Sequence, residues 1–202
     1  MYLTWLADAR LYEMLAHIDA DLAETARQAG CRVCGDVLHS ARFPRKPRGG
    51  PGELPADYDR RHSFCCAVDG CRKRRTPPSV RFLGRKVYLG AVVVLATVLR
   101  HGPTRTRAAR LRQLLGVDAR TLERWRHWWR RTFADSPWWK AMRGRFAPPV
   151  PASMLPGSLL QRFAGAGSEP LVALLRFVAP TTTTSDGAGL FAGRRRPAED
   201  AR

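Results

Sequence analysis

Acidic side chains are scarce in this chain, and scarcest where its other features gather. The 202 residues carry 17 Asp and Glu against 35 Lys and Arg, a net charge of +18 with a pI near 11.2. Residues 41–131 hold only 6 acids against 23 bases. A two-metal centre for cutting nucleic acid needs several converging carboxylates on an RNase-H-like α/β scaffold. With few acids in the middle and no alternating βαβ pattern after residue 90, an enzyme of that kind is not expected. Long apolar runs are missing too. The most apolar stretch, Tyr88 to Leu99 (YLGAVVVLATVL), is about twelve residues and too short to span a bilayer. The N-terminus lacks a basic n-region and carries acids throughout, so no secretory leader and a cytoplasmic location are expected. In that compartment the five cysteines point to a metal site rather than to disulfides.

What is abundant is positive charge, most of it arginine. A surface this basic attracts polyanions, which makes nucleic acid the leading partner class. Arginine suits bidentate contact with phosphate and guanine, although a GC-rich codon bias would favour it as well. The charge is uneven: residues 1–30 carry two bases and five acids. There Leu3, Leu6, Leu11, Leu15, Ile18 and Leu22 approximate a 3.6-residue period, with Asp8, Glu13, Asp19, Asp21 and Glu24 mainly outside. This predicts one amphipathic helix or a broken pair, ended by Gly30, packed on its own domain or forming a dimer contact.

Cys31-Arg-Val-Cys34-Gly35 follows at once, and Phe64-Cys65-Cys66-Ala-Val-Asp-Gly70-Cys71 comes after a long loop. The first is a knuckle: two thiols two residues apart, with glycine freeing backbone N–H groups to point at sulfur. Four thiolates suit tetrahedral Zn²⁺, and short strands joining two such knuckles make a zinc ribbon with a structural, fully protein-ligated ion. Cys31, Cys34, Cys66 and Cys71 are the expected ligands, because a four-residue spacer is nearer the common range. Cys65 in place of Cys66, or His39 or His62 as a substitute, stays open. Between the knuckles, Arg45, Lys46 and Arg48 sit in a Pro- and Gly-rich loop suited to tracking phosphates or entering a minor groove. Arg72, Lys73, Arg74 and Arg75 extend the same cationic surface after the last cysteine. A merely solvated role for these charges is the plain alternative.

Thr76 to Ser79 marks the exit from the ribbon. Phe82 to Arg100 is long for a strand and is followed by Gly102-Pro103, so it reads as a supporting helix, with a buried strand as the weaker option. The segment TRTRAARLRQLLGVDARTLERWRHWWRRTF, residues 104–133, then predicts two helices. The first covers Arg105 to Leu115, with Ala108, Leu111 and Leu114 or Leu115 on one face. Gly116 suits the left-handed position that closes it, and Asp118 suits the N-cap of a second helix from Ala119 to about Thr132. On that helix Leu122, Trp125 and Trp129 form a buried stripe. Arg120, Thr121, Arg124 and His127 face outward. This is the helix-turn-helix pattern, in which Arg105 and Arg107 would meet backbone phosphates and the second helix would read bases. An αα-hairpin with a solvated basic face is the competing view. Ser136-Pro137 starts a further short helix. Trp125, Trp129 and Trp138 are expected in the core, with base stacking or an interface as a further option for Trp128. Two apolar helices are expected near Leu155–Phe163 and Glu169–Val178, and residues 181–202 lack a core and are expected to be disordered.

The four cysteines with the LLGVDARTLERWRHWW segment resemble the DNA-binding front ends of bacterial insertion-sequence transposases and their short accessory proteins. The stretches FPRKPRG, TPPSVRFLGRKVYLG and RTLERWRHWW are similar to bacterial proteins associated with mobile elements, over roughly residues 1–180. That resemblance implies duplex DNA binding in transposition or its regulation, with a separate transposase or recombinase as a potential partner. The doubled Cys65-Cys66 and the long loop depart from the simplest ribbon and leave the ligand set in doubt.

The expected fold class is therefore mainly α with a small zinc-ribbon β unit and a helical helix-turn-helix domain. Its expected parts are an amphipathic helix (1–30), a ribbon with a basic loop (31–78), a helix-turn-helix domain (79–146), a helical extension (147–180) and a tail (181–202). The expected function is zinc-dependent, non-enzymatic DNA binding by a cytoplasmic, nucleoid-associated protein, with no membrane role and with homodimerisation open. RNA binding through the ribbon and a protein–protein adaptor role are the alternatives.

Overall fold

The computed structural model of the chain describes residues 2–45, 50–83, 88–98 and 104–183. The described residues are mainly helical, with a small three-stranded antiparallel sheet and a two-stranded one. The N-terminal segment is the broken pair: α1 spans Tyr2–Leu6 and α2 spans Ala9–Gln28. Asp8 caps α2 by accepting from the Arg10 N–H, and the Tyr12 hydroxyl donates to the Leu6 carbonyl at 2.9 Å, fixing the two helices together. The buried stripe of α2 runs Leu11, Tyr12, Leu15, Ile18, Asp19, Ala23 and Ala26. Asp19 corrects the expectation that the acids lie outside. At 1% exposed it is among the most buried residues of the chain.

A three-stranded antiparallel sheet follows, in the order β1 (Leu38–Pro44), β2 (Arg60–Cys66), β3 (Arg74–Arg75). The register runs from Leu38 opposite Cys66 to Pro44 opposite Arg60. Ala23 and Ala26 of α2 cover it, packing on Leu38, Phe64, Cys31 and Cys66 in a small cluster of their own.

Phe82 to Arg100 is not one helix. Phe82–Leu83 (β4) pairs with Tyr88–Leu89 (β5), and the helix α3 is confined to Gly90–Thr97. Every residue of α3 is buried. A helix that is apolar all round has no polar face to reveal its period, which is why the sequence misplaces its start. Lys46, Arg48 and the Gly102-Pro103 break fall outside the described residues.

Around α3 pack α1, the second helix of the central pair and the C-terminal helices. The central pair is α4 (Arg105–Leu115) and α5 (Ala119–His127), the latter continuing as a π-helix through Trp128–Phe133. Thr104 and Asp118 cap the two helices by accepting from the N–H groups of Arg107 and Thr121. Gly116 takes φ +63° between them, a conformation open to glycine at little cost. Leu111 and Leu115 are buried, whereas Leu114 is exposed. Ser136 caps α6 (Pro137–Met142), and α7 (Gly157–Leu160) and α8 (Glu169–Val178) complete the core through Leu159, Leu171, Leu174, Leu175 and Val178. The segment expected as an extension is thus part of the main core. Residues 181–183 also belong to the fold: Thr181 and Thr183 are buried, and Thr183 Oγ1 donates to the Thr76 carbonyl at 2.6 Å.

Candidate metal centre and cationic faces

The first knuckle begins where α2 ends. Gly30 holds φ +65°, and a Cβ there would come within 2.5 Å of the Gly35 carbonyl oxygen. Only glycine fits. The Cys31 N–H then donates to the Asp36 carbonyl at 2.8 Å, and the Gly35 N–H donates to the Cys31 carbonyl at 2.7 Å, closing a tight loop. Gly30→Ala should therefore cost more than about 2 kcal/mol, since a left-handed non-glycine residue alone costs about 1–2. Chelator titration should strip metal from this variant at lower concentration than from the wild type. The second knuckle joins β2 to β3. The Cys66 N–H donates to the Lys73 carbonyl at 2.9 Å, and the Ala67 N–H to the Val37 carbonyl at 3.0 Å, so the two knuckles meet at one end of the sheet.

There the sulfurs of Cys31, Cys34, Cys66 and Cys71 all lie within 4.8 Å of one another. Cys31 and Cys71 are 3.7 Å apart and Cys34 and Cys66 3.4 Å. A tetrahedral ion with bonds near 2.3 Å sets its sulfurs about 3.8 Å apart, so this cluster has the dimensions to hold one. Its electrostatics favour a cation. The backbone N–H groups of Cys34 and Val33, aimed at Cys31, pull its thiol pKa down to about 6. Burial, against a helping N–H from Val68, pushes Cys66 up to about 12. Thiols this close cannot all ionise alone, and a bound cation removes the conflict. Strand geometry decides between the adjacent cysteines. Neighbours on a strand point to opposite faces, and Cys65 turns away to donate its thiol to the Arg72 carbonyl at 3.5 Å. His39 and His62 are not among the clustered ligands either.

The candidate nucleic-acid contacts are distributed as follows. Arg45 stacks its guanidinium 4.8 Å from the Phe43 ring centroid. Lys73 and Arg74 are exposed, as is Arg72, which pairs with Asp69 at 3.8 Å. Arg75 is committed elsewhere: its Nη1 donates to the carbonyls of Ala26 and Gly30 at 2.8 and 3.0 Å. It closes the C-terminus of α2, a position where a cation also suits the helix dipole. On α4, Arg105 is exposed, while Arg107 is half-buried with Nε and Nη2 shielded from solvent and without a hydrogen-bond partner. On α5, Arg120, Arg124 and His127 are exposed and Thr121 is half-buried, opposite the buried Leu122, Trp125 and Trp129. The Thr121 N–H donates to Asp118 Oδ1 at 2.6 Å, and Arg124 Nη2 donates to Thr121 Oγ1 at 2.7 Å. Trp128, the candidate for stacking on a base, is half-buried and packs against Trp129 and Phe133 with centroids 4.8 and 5.7 Å away. Arg124 is thus pre-positioned by a short relay from the helix cap.

The sequence reading missed a charged hub. Asp19 Oδ2 accepts from Arg81 Nε at 2.8 Å and lies 3.8 Å from Arg61 Nη1, while Asp19 Oδ1 accepts from the Val80 N–H at 2.6 Å. Arg81 also donates to the carbonyls of Tyr58 and Arg60, and Arg61 to that of Pro77. Burial, partly opposed by Asp19, pushes the Arg61 pKa down to about 10, so the side chain stays charged at neutral pH. The available signal was Asp19 itself, an acid lying beside Ile18 within the apolar stripe of α2.

Compared with protein-family models, curated proteins and solved structures, the chain matches none. No helix among the described residues is long and apolar enough to cross a membrane.

Proposed function

We propose that this chain is a zinc-dependent DNA-binding protein without catalytic activity, acting as an accessory factor or regulator of a bacterial mobile element. In this reading Cys31, Cys34, Cys66 and Cys71 hold the ion. Four thiolates in a compact cluster suit Zn²⁺, which when bound crosslinks the two knuckles. Helices α4 and α5 act as a helix-turn-helix. Arg72, Lys73, Arg74 and Arg105 neutralise phosphates, while Arg120, Thr121, Arg124 and His127 face base edges. The observation that carries the reading is the relay Asp118–Thr121–Arg124 on the exposed side of α5, backed by the buried Leu122–Trp125–Trp129 stripe. A guanidinium held by a neighbour loses little entropy when it makes a bidentate contact with guanine O6 and N7.

Selection of random duplex DNA by the purified chain at about 150 mM salt, with zinc quantified in the same sample, tests this. An enriched motif containing a guanine, with one zinc per chain, is the expected result. Arg124→Ala should cost about 1–3 kcal/mol and relax one motif position, whereas Lys73→Ala should weaken all sequences alike and lower the salt slope by about 1. Thr121→Val, which removes the hydroxyl that holds Arg124, should fall between wild type and Arg124→Ala. Salt-sensitive binding with no enriched motif, or preferential capture by structured RNA, would sink the proposal.

A further inference from the structure

Three of the five exposed large hydrophobic side chains among the described residues lie on or beside the two knuckles. Val33 is 69% exposed, Val37 60% and Val68 40%. Val33 lies between the two cysteines of the first knuckle. Val68 lies two residues beyond Cys66 in the second, and Val37 is tied to that knuckle by the Ala67 N–H to Val37 carbonyl bond. Because the four sulfurs fall within 4.8 Å of one another, the two valine-bearing knuckles lie at the same end of the sheet. Isolated exposed apolar residues are ordinary, but a group of them ringed by charge marks a contact surface. None of the three is needed for the fold. The small core beneath is built from Ala23, Ala26, Leu38 and Phe64 with the cysteines, and a β-branched side chain in a turn gains nothing locally.

The rim identifies the partner chemistry. Arg32 adjoins Val33 in the first knuckle, and Arg72, Lys73 and Arg74 follow Cys71 directly, all exposed cations, against the two acids Asp36 and Asp69. We infer that this end of the sheet is a docking surface for a peptide segment of a partner protein, apolar at its centre and acidic at its flanks. The rim cations can meet phosphate or carboxylate alike, but the valine centre suits a base poorly. Valine offers a base neither an aromatic face nor a hydrogen bond, whereas an aliphatic peptide side chain meets it on equal terms and carboxylates meet the rim. The inference does not depend on DNA binding by α5.

The test presents a random peptide display library to the full-length, metal-loaded chain and measures affinities of synthetic copies of the enriched peptides. Enrichment of a short Leu-, Ile-, Met- or Phe-containing core flanked by Asp or Glu is expected. Those peptides should bind the Val33→Ser/Val68→Ser variant at least tenfold more weakly and lose affinity in high salt. The charge variant Arg72→Glu/Lys73→Glu should weaken them as well. Metal content and circular dichroism should be unchanged in both variants. Three results would overturn the inference: enriched peptides without this pattern, or with equal affinity for the valine variant; a wild-type chain that captures no peptide but self-associates through the valines; or a valine variant impaired in DNA capture but not in peptide binding.

Discussion

Cys66→Ser is expected to reduce bound metal from one ion per chain to none and to melt the three-stranded sheet, while the adjacent Cys65→Ser leaves both intact. The two substitutions are chemically identical and one residue apart, so the contrast isolates ligation from any general loss of thiol. The size of the effect follows from how little else holds the unit together. Its own cluster contains only two large apolar side chains, Leu38 and Phe64, beside two alanines and the cysteines. Structural zinc sites supply apparent binding free energies of about 10–16 kcal/mol in small zinc-finger peptides at neutral pH, far beyond what that cluster can replace. The damage should also reach α2. Arg75 sits on the two-residue strand β3 and bonds the last carbonyls of that helix, so a melted sheet releases the cap and the final turn of α2 frays. Metal quantification and amide hydrogen exchange across residues 23–75 would read this out. A Cys66→Ser chain that keeps its metal, or a Cys65→Ser chain that loses it, would refute the ligand set.

Where the chain carries its own punctuation, the sequence places element starts closely, although α5 gives way to a π-helix at Trp128 rather than running on to Thr132. Gly116 and Asp118 bound α4 and α5, Ser136-Pro137 opens α6, and α8 spans Glu169–Val178 as its apolar spacing predicts. The cysteine spacing points to the four clustered thiols but leaves Cys65, His39 and His62 open as substitutes. Spacing favours Cys66 over Cys65 only weakly, and the strand, with Leu38 opposite Cys66, puts Cys66 among the sulfurs. Two kinds of feature escape local pattern. One is total burial: α3 has no polar side, so its hydrophobic residues cannot distinguish helix from strand or mark an end. The other is a long-range polar contact. Nothing near Thr182 or Thr183 marks them as held in the fold, because Thr76, Ser79 and Arg61, which they bond, lie more than a hundred residues away.

The same polar contacts make Asp19→Ala the second substitution with a large expected effect. Asp19 accepts from Arg81, from the Ser79 hydroxyl and from the Val80 N–H, and it is the acid paired with both Arg61 and Arg81. Both arginines are 3% exposed. Truncating the acid leaves two buried cations facing each other without a counterion. Removing one partner of a buried ion pair costs about 3–5 kcal/mol, because the remaining charge can neither return to water nor be neutralised. In a chain of this size that corresponds to a fall in Tm of about 6–20 °C. Asp19→Asn separates the contributions: it retains the shape and one acceptor oxygen but not the charge, so it should fall between wild type and alanine. Arg27→Ala, which breaks the exposed pair with Glu24 on the same helix, should change stability by less than about 0.5 kcal/mol, since exposed pairs contribute little. If Asp19→Ala melts within about 2 °C of the wild type, the hub carries no net stabilisation. Otherwise this one carboxylate ties α2 to Arg61 of β2 and to residues 79–81, the segment that leads from the cysteine-bearing sheet into the helical core.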